Sequence, residues 1–213
     1  MPATRLSEQP HEVNQYDVIG LYAQEEGDFV RHVALYDSSE PTVCRDQAVS
    51  VAHMEPPLQR GNQIQAHLVG VVPLTNDEVR KIETWIAKVA DEYDDAGISG
   101  SWGRQYRIDP PWMDFPPTGP RRYTQFSCAG FVLTAYRQAR LILLDISNLP
   151  EVERDTIDAA YQTAGRDLSR WGLHSNRQPQ PVVLPGYLLH ALKRPADEIR
   201  QTPYRPKPED ARF

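Results

Sequence analysis

Residues 126–136 read FSCAGFVLTAY, a run of eleven residues without a charged side chain. A helix that is apolar on all sides has to be buried on all sides, so this run predicts a central helix in the core. Cys128 lies in its first turn, after Thr124 and Ser127, either of which could be the N-cap. The sequence therefore predicts a cysteine held at the N-terminus of a buried helix.

The chain before this helix predicts an antiparallel sheet of about four strands. The runs 16–22, 29–36, 48–54 and 64–74 are rich in β-branched and aromatic residues and are separated by turn residues. Thr75 and Glu78 then form a T-x-x-E capping box, and apolar residues recur at helical spacing to about Asp94. Two more helices are expected after the cysteine helix, at about 151–171 and 186–192.

These elements predict a single α+β domain over residues 16–193. It follows a polar segment, 1–15, and precedes a charged, Pro-rich tail, 194–213, that we expect to be mobile. The stretch 95–123 is too long for an ordinary loop, and we expect it to fold back and border the site. Its apolar anchors are Trp102, Tyr106, Trp112 and Phe115.

The balance of charged residues indicates which binding partners this chain is unsuited to. The 213 residues include 23 Lys and Arg against 29 Asp and Glu, giving a net charge of −6. This balance argues against nucleic acid or an anionic membrane as the main partner, since both attract clustered cations. No run is long and apolar enough for a membrane span, and the first fifteen residues lack the apolar core of a signal peptide. We therefore expect a cytoplasmic protein.

Cys128 and His32 are the residues best suited to chemistry. The positive end of a helix favours a thiolate, which is the nucleophilic form of cysteine. A thiol nucleophile also needs a base within hydrogen-bond reach, and His32 interrupts an apolar strand on the face of Ala34 and Tyr36. The alternatives are an inert buried cysteine and a structural histidine. Cys44 lies in a polar stretch with no helix start after it, so we discount it as a nucleophile.

Two motifs carry a resemblance to a known family. F-V-R-H-V-A-L-Y-D, at 29–37, resembles the H-V-(A/G)-(I/L)-Y strand of NlpC-type papain-like proteins, and F-S-C-A-G-F-V, at 126–132, resembles their (D/Y)-C-S-x-(L/F)-V helix start. The histidine precedes the cysteine, as in the circularly permuted branch that includes lecithin retinol acyltransferase-like proteins. The resemblance implies a permuted papain-like fold, with the sheet packed on the cysteine helix. Ala129 departs from the family pattern, which has Ser or Glu after the cysteine.

The resemblance also implies a third polar residue on the strand after the histidine strand. His53 is the first choice there, Glu55 the second, and His67 on the next predicted strand the third. Each of these side chains could fix the tautomer of His32. Tyr123 and Gln125, just before Cys128, are candidates for a substrate or oxyanion site. We expect no metal, because the histidines and cysteines lack the paired spacing of zinc ligands.

The function expected from these residues is hydrolysis of an amide or peptide bond through a thioester on Cys128, with His32 as general base. No cofactor is required, and the expected partner is a small peptide, amide or acyl substrate. An acyltransferase that uses the same thioester remains open, as does an inactive binding module that keeps the fold.

Overall fold

A computed structural model describes residues 3–22, 28–55, 58–95, 108, 124–161, 163, 165–173 and 178–213. The strands in these ranges are β1 (Thr4–Arg5), β2 (His11–Glu12), β3 (Val18–Tyr22), β4 (Val30–Tyr36), β5 (Thr42–Val43), β6 (Ala48–Met54), β7 (Leu58–Gln65), β8 (Leu68–Gly70), β9 (Glu151–Val152) and β10 (Gln180–Pro181). The helices are α1 (Asn76–Asp95), α2 (Cys128–Gln138), α3 (Arg154–Tyr161), α4 (Pro185–Leu192) and α5 (Ala196–Gln201), with 3₁₀ turns at Ile146–Asn148, Ser169–Trp171 and Pro208–Ala211. The chain is α+β, as predicted. Over these ranges no helix has both the length and the apolar composition to cross a membrane.

One antiparallel sheet of six strands organises the fold, in the order β1-β8-β3-β4-β6-β7. β4 pairs with β3 on one side and with β6 on the other, where Leu35 lies opposite Ala52. The two short pairs, β2 with β5 and β9 with β10, lie outside this sheet. The strand that carries His32 is therefore central in the sheet.

Side chains on the two faces of the sheet enter two separate cores. Leu35 of β4 belongs to the larger core, which also contains the buried sides of α1, α2, α3 and α4, whereas Ala34 belongs to the smaller core. The smaller core is closed by Leu6 and Val13 of the N-terminal segment and by Val43 of β5. Helices thus cover one face of the sheet, and the N-terminal segment covers the other.

The uncharged helix α2 lies in the larger core, and every residue from Cys128 to Leu133 is buried. Trp85 of α1 packs edge-on against Phe126 at a ring separation of 5.7 Å and tilted against Phe131 at 5.2 Å. At the end of α1, the Tyr93 hydroxyl donates a hydrogen bond of 2.7 Å to the carbonyl of Thr124. These contacts fix the place where α2 begins.

The predicted strand at 64–74 is wrong, because the structure divides this segment. β7 ends at Gln65, and β8 covers only Leu68–Gly70. β7 also starts earlier than predicted, at Leu58, and runs through mostly exposed polar residues paired with β6. An edge strand with little buried surface has no alternating apolar pattern, so the sequence does not reveal it.

The single helix predicted over 151–171 is also wrong. Glu151–Val152 pairs with β10, and α3 ends at Tyr161. After this point Thr163 bonds to both the backbone and the side chain of Asp158, and Gly165 has a left-handed backbone with φ of 76°. Local side-chain hydrogen bonds and left-handed glycines compete with helix continuation, which explains the early end.

The tail that we expected to be mobile is instead packed on the domain. Ile199 of α5 is buried, and Arg200 bonds to Glu78 of the α1 capping box at 2.7 Å. The backbone N–H of Phe213 donates to the carbonyl of Asp28 at 3.0 Å, beside the start of β4. Arg200, one of the charges that predicted a solvated tail, therefore makes an ion pair with the domain.

Substitution of Gly186 by Ala should loosen this tail. Gly186 lies in the first turn of α4 against the backbone carbonyls of Asp210 and Ala211, and an added methyl group would collide with both. Because backbone atoms cannot yield as the end of a side chain can, we expect the free energy of unfolding to fall by about 2 kcal/mol. Urea denaturation measures this loss, and amide exchange at Phe213 should accelerate. A variant with unchanged stability and exchange would contradict the packing described for the tail.

Candidate active site

Helix α2 begins at Cys128, and Ser127 is its N-cap. The Ser127 backbone is extended, and its Oγ atom accepts a hydrogen bond of 2.9 Å from the N–H of Gly130. The Ser127 carbonyl accepts the first helical bond, from the N–H of Phe131, also at 2.9 Å. Cys128 thus occupies the first helical position, where the positive end of the helix dipole favours a thiolate. The residue is fully buried.

His32 and His53 form a hydrogen-bonded pair. The Nε2 atom of His32 lies 2.7 Å from the Nδ1 atom of His53, and the two rings are nearly perpendicular, at 83°. Antiparallel pairing of β4 with β6 brings the two side chains together, and His53 is fully buried. Of the three residues predicted as possible partners, His53 is the one whose hydrogen bond to His32 the structure describes.

The two other candidates have different surroundings. Glu55 follows the end of β6, is 55% exposed, and has its carboxylate 4.0 Å from Nδ1 of His53. His67 lies in the connection between β7 and β8, and not on a strand as predicted. Its Nε2 atom is 3.2 Å from the carboxylate of Asp46. Glu55 therefore borders the imidazole pair, and His67 has an acidic partner of its own.

Burial keeps both imidazoles of the pair neutral. It lowers the pKa of His32 to about 3, an effect to which the neighbouring His53 and Arg31 add. Burial alone lowers the pKa of His53 to about 4. A neutral imidazole can accept a proton, which is the state that a general base needs at neutral pH. A negative charge beside His32 would be required to hold that proton.

Asn62 is a site residue that the sequence analysis missed. Its Nδ2 atom lies 3.4 Å from Nε2 of His53, and its Oδ1 atom accepts from the N–H of Gln63 at 3.0 Å. Gly61, with φ of 69°, is the extra residue where the register of β6 and β7 shifts. A bulge of this kind redirects the next side chain. Gly-Asn in a sequence is typical of a turn, so the pattern alone does not indicate a paired strand here.

The structure says less about the remaining candidate site residues. Gln125 is half-buried two residues before the N-cap, whereas Tyr123 and the aromatic residues Trp102, Tyr106, Trp112 and Phe115 lie outside the described residues. Cys44 is half-buried and is not joined to Cys128 by a disulfide. Within the described part of the chain, His, Cys, Asp and Glu side chains form no group of three that could hold a metal ion.

The faces of β4 separate His32 from the core of Cys128. Leu35 packs in the larger core with Cys128, and Ala34 packs in the smaller one. His32 lies opposite Leu21 of β3, and the register is irregular at the next residue of that strand. Strand alternation therefore assigns His32 to the face of Ala34. The hydrogen bond described for His32 is the one to His53.

Comparison with family models, with characterised proteins and with solved structures finds no match for this chain.

Acidification should destabilise the fold through the imidazole pair. The pKa of His53 is about 4 when folded, against 6.5 for an unperturbed histidine, so between these values the unfolded chain binds a proton that the folded chain rejects. Stability that is present above pH 6.5 is therefore lost as the pH falls, by roughly 2 kcal/mol at pH 5. His53→Gln cannot titrate and should lose less stability than the parent between pH 7.5 and pH 5, as measured by urea unfolding. Equal losses would show that His53 does not carry the acid sensitivity.

Proposed function

We propose that the protein is a cysteine hydrolase that cleaves an amide or peptide bond through a thioester on Cys128. The observation that carries this proposal is the 2.7 Å hydrogen bond between His32 and His53. A base held in orientation by a second polar group is the arrangement that activates a thiol nucleophile. The helix N-terminus at Cys128 and the two motifs of the permuted papain-like family support the same reaction.

The acylation step would proceed as follows. In the tautomer that the reaction requires, the Nε2–H of His32 donates to Nδ1 of His53, and Nδ1 of His32 is left unprotonated to take the proton of the Cys128 thiol. The sulfur attacks the substrate carbonyl, a carbon–sulfur bond forms, and the backbone N–H of Ala129, at the second helical position, would bind the oxyanion. His32 then returns the proton to the amine as the carbon–nitrogen bond breaks. The product of this step is a thioester on Cys128 and a free amine.

Water completes the reaction. His32 accepts a proton from water, the hydroxyl attacks the thioester carbonyl, and the carbon–sulfur bond breaks to give a carboxylic acid and the Cys128 thiol. An acyltransferase would follow the same course to the thioester, with an amine or alcohol in place of water. The two reactions therefore differ only in the acceptor, and they require the same side chains.

A binding module without catalysis is the second candidate, and two observations favour it. Cys128 has no exposed surface, and strand alternation assigns His32 to the opposite face of the sheet. Catalysis requires Nδ1 of His32 and the sulfur of Cys128 to come within hydrogen-bond reach. An experiment that distinguishes the two functions must therefore report whether these two atoms come within that distance.

Cys128 should be alkylated by iodoacetamide faster than Cys44 at pH 6, with the rate of each cysteine followed by mass spectrometry. The helix N-terminus and a protonated His32 would stabilise the Cys128 thiolate, whereas Cys44 lies outside any helix. His32→Asn should raise the midpoint of the Cys128 rate profile by about two pH units or more, toward the usual thiol value. Burial of Cys128 slows the reagent equally at every pH, so the midpoint reports ionisation separately from access.

His67→Asn is the matched control, because it removes a half-buried histidine that has its own partner, Asp46. Its Cys128 profile should overlay that of the parent. With p-nitrophenyl acetate, the parent should give a burst of nitrophenolate and an acetyl group on Cys128, which Cys128→Ser and His32→Asn should lack. An ordinary thiol midpoint in the parent, unchanged in His32→Asn, together with no burst, would leave the binding module as the function.

A further inference from the structure

We infer that Asn62 is a positioning residue that selects which ring nitrogens of His32 and His53 carry protons. The inference rests on the proposed function, because the position of these protons decides whether Nδ1 of His32 is free to act as the base. Asn62 is an exposed residue of the edge strand β7, and its side chain meets the buried His53. The buried pair therefore has a polar neighbour that solvent can reach.

A chain of two hydrogen bonds joins Asn62 to His32 through His53. Nδ2 of Asn62 lies 3.4 Å from Nε2 of His53, and Nδ1 of His53 lies 2.7 Å from Nε2 of His32. The amide is held in this orientation by its own oxygen, which accepts from the N–H of Gln63 at 3.0 Å. The carboxylate of Glu55 is 4.0 Å from Nδ1 of His53, which is beyond hydrogen-bond distance. The bond described for Nδ1 of His53 is therefore the one to His32.

The orientation of the Asn62 amide fixes the position of each proton in the pair. An amide nitrogen only donates, so Nε2 of His53 has to accept. Burial lowers the pKa of His53 to about 4, so its neutral ring has one proton, which then lies on Nδ1. This Nδ1–H donates to Nε2 of His32, and the one proton of the neutral His32 ring therefore lies on Nδ1. In this resting tautomer the atom that would take the thiol proton is already protonated.

Exchange of the oxygen and nitrogen positions of the amide reverses the chain and gives the base tautomer. Oδ1 of Asn62 then accepts from Nε2–H of His53, and Nδ1 of His53 accepts from Nε2–H of His32. The pair keeps two protons: one leaves Nδ1 of His32 to water, one crosses the bond between the rings, and one enters Nε2 of His53 from water. The turned amide gives up the bond from Gln63, which favours the resting tautomer by roughly three- to tenfold.

The first measurement is nitrogen-15 NMR of the histidine rings at pH 8, where both rings of the pair are neutral. In the parent, His32 and His53 should both carry their proton on Nδ1. In Asn62→Asp both should carry it on Nε2, because a carboxylate only accepts, and Asn62→Ala should lose the preference for Nδ1. The spectra of His32→Asn and His53→Gln identify these two rings among the six histidines.

The second measurement is the rate of the nitrophenolate burst at the same pH. If the reaction uses only the base tautomer, the parent rate is reduced by the fraction of molecules in that tautomer, and Asn62→Asp should be faster by roughly three- to tenfold. Gln65→Glu is the matched control, because it adds the same charge to an exposed position of β7 on the opposite face of the strand. It should keep the tautomers and the burst rate of the parent.

The two measurements separate the role of Asn62 from the proposed function. A parent with the proton of His53 on Nε2, or an Asn62→Asp variant with the tautomers of the parent, would overturn the role of Asn62. Tautomers that change as expected, with an Asn62→Asp burst no faster than that of the parent, would overturn the need for the base tautomer. The same tautomers with no burst in any variant or in the parent would overturn the proposed function alone. If Asn62→Asp does not fold, the spectra of the parent and of Asn62→Ala decide the role of Asn62.

Discussion

Complete burial of the start of α2 is the constraint on which the rest of the structure depends. Large apolar side chains such as Phe131 and Val132 each stabilise the fold by roughly 1.5–3 kcal/mol when buried. The same burial removes water from the N–H groups of the first turn, so the protein has to supply their partners. Ser127 meets part of this requirement, because its hydroxyl oxygen accepts from the N–H of Gly130. The apolar packing at this helix end therefore requires that the buried N–H groups find hydrogen-bond partners within the protein.

Burial also couples the two charges that the proposed reaction needs. His32 and His53 are neutral because an isolated imidazolium would be poorly solvated in the sheet. An isolated thiolate at buried Cys128 would be disfavoured for the same reason. A proton passed from one to the other creates both charges at once, and each then stabilises the other. Such a pair exists only if the two side chains meet, which makes the position of β4 decisive.

The two ends of the described chain anchor β4 at its start. Arg5 bonds to the carboxylate of Asp28 at 3.1 Å and to the carbonyl of Phe213 at 2.6 Å. Phe29 forms a backbone bridge with Arg212, whose guanidinium lies 4.3 Å from the centre of the Phe29 ring. These contacts lie within a few residues of His32. The tail is thus part of the support of the histidine strand.

The sequence by itself determined the features that depend on local pattern. The charge-free run predicted the buried α2, and runs of β-branched and aromatic residues between turn residues predicted β3, β4 and β6. Thr75 with Glu78 predicted the start of α1, where both capping hydrogen bonds are present. These signals are local because helix and strand periods and caps involve residues a few positions apart. The resemblance to the papain-like family implied a third polar residue on the strand after the histidine strand, where His53 was the first choice, and the structure describes a hydrogen bond between His53 and His32.

Tertiary structure alone decided the rest. β7 has no apolar pattern and is held by its pairing with β6, and Asn62 is directed at His53 by the bulge at Gly61. The docked tail joins segments that are distant in sequence, such as Arg200 and Glu78. The face of the sheet on which each side chain lies, relative to Cys128, depends on how the helices pack. A single sequence records none of these contacts, because their free energy arises only when the distant segments meet.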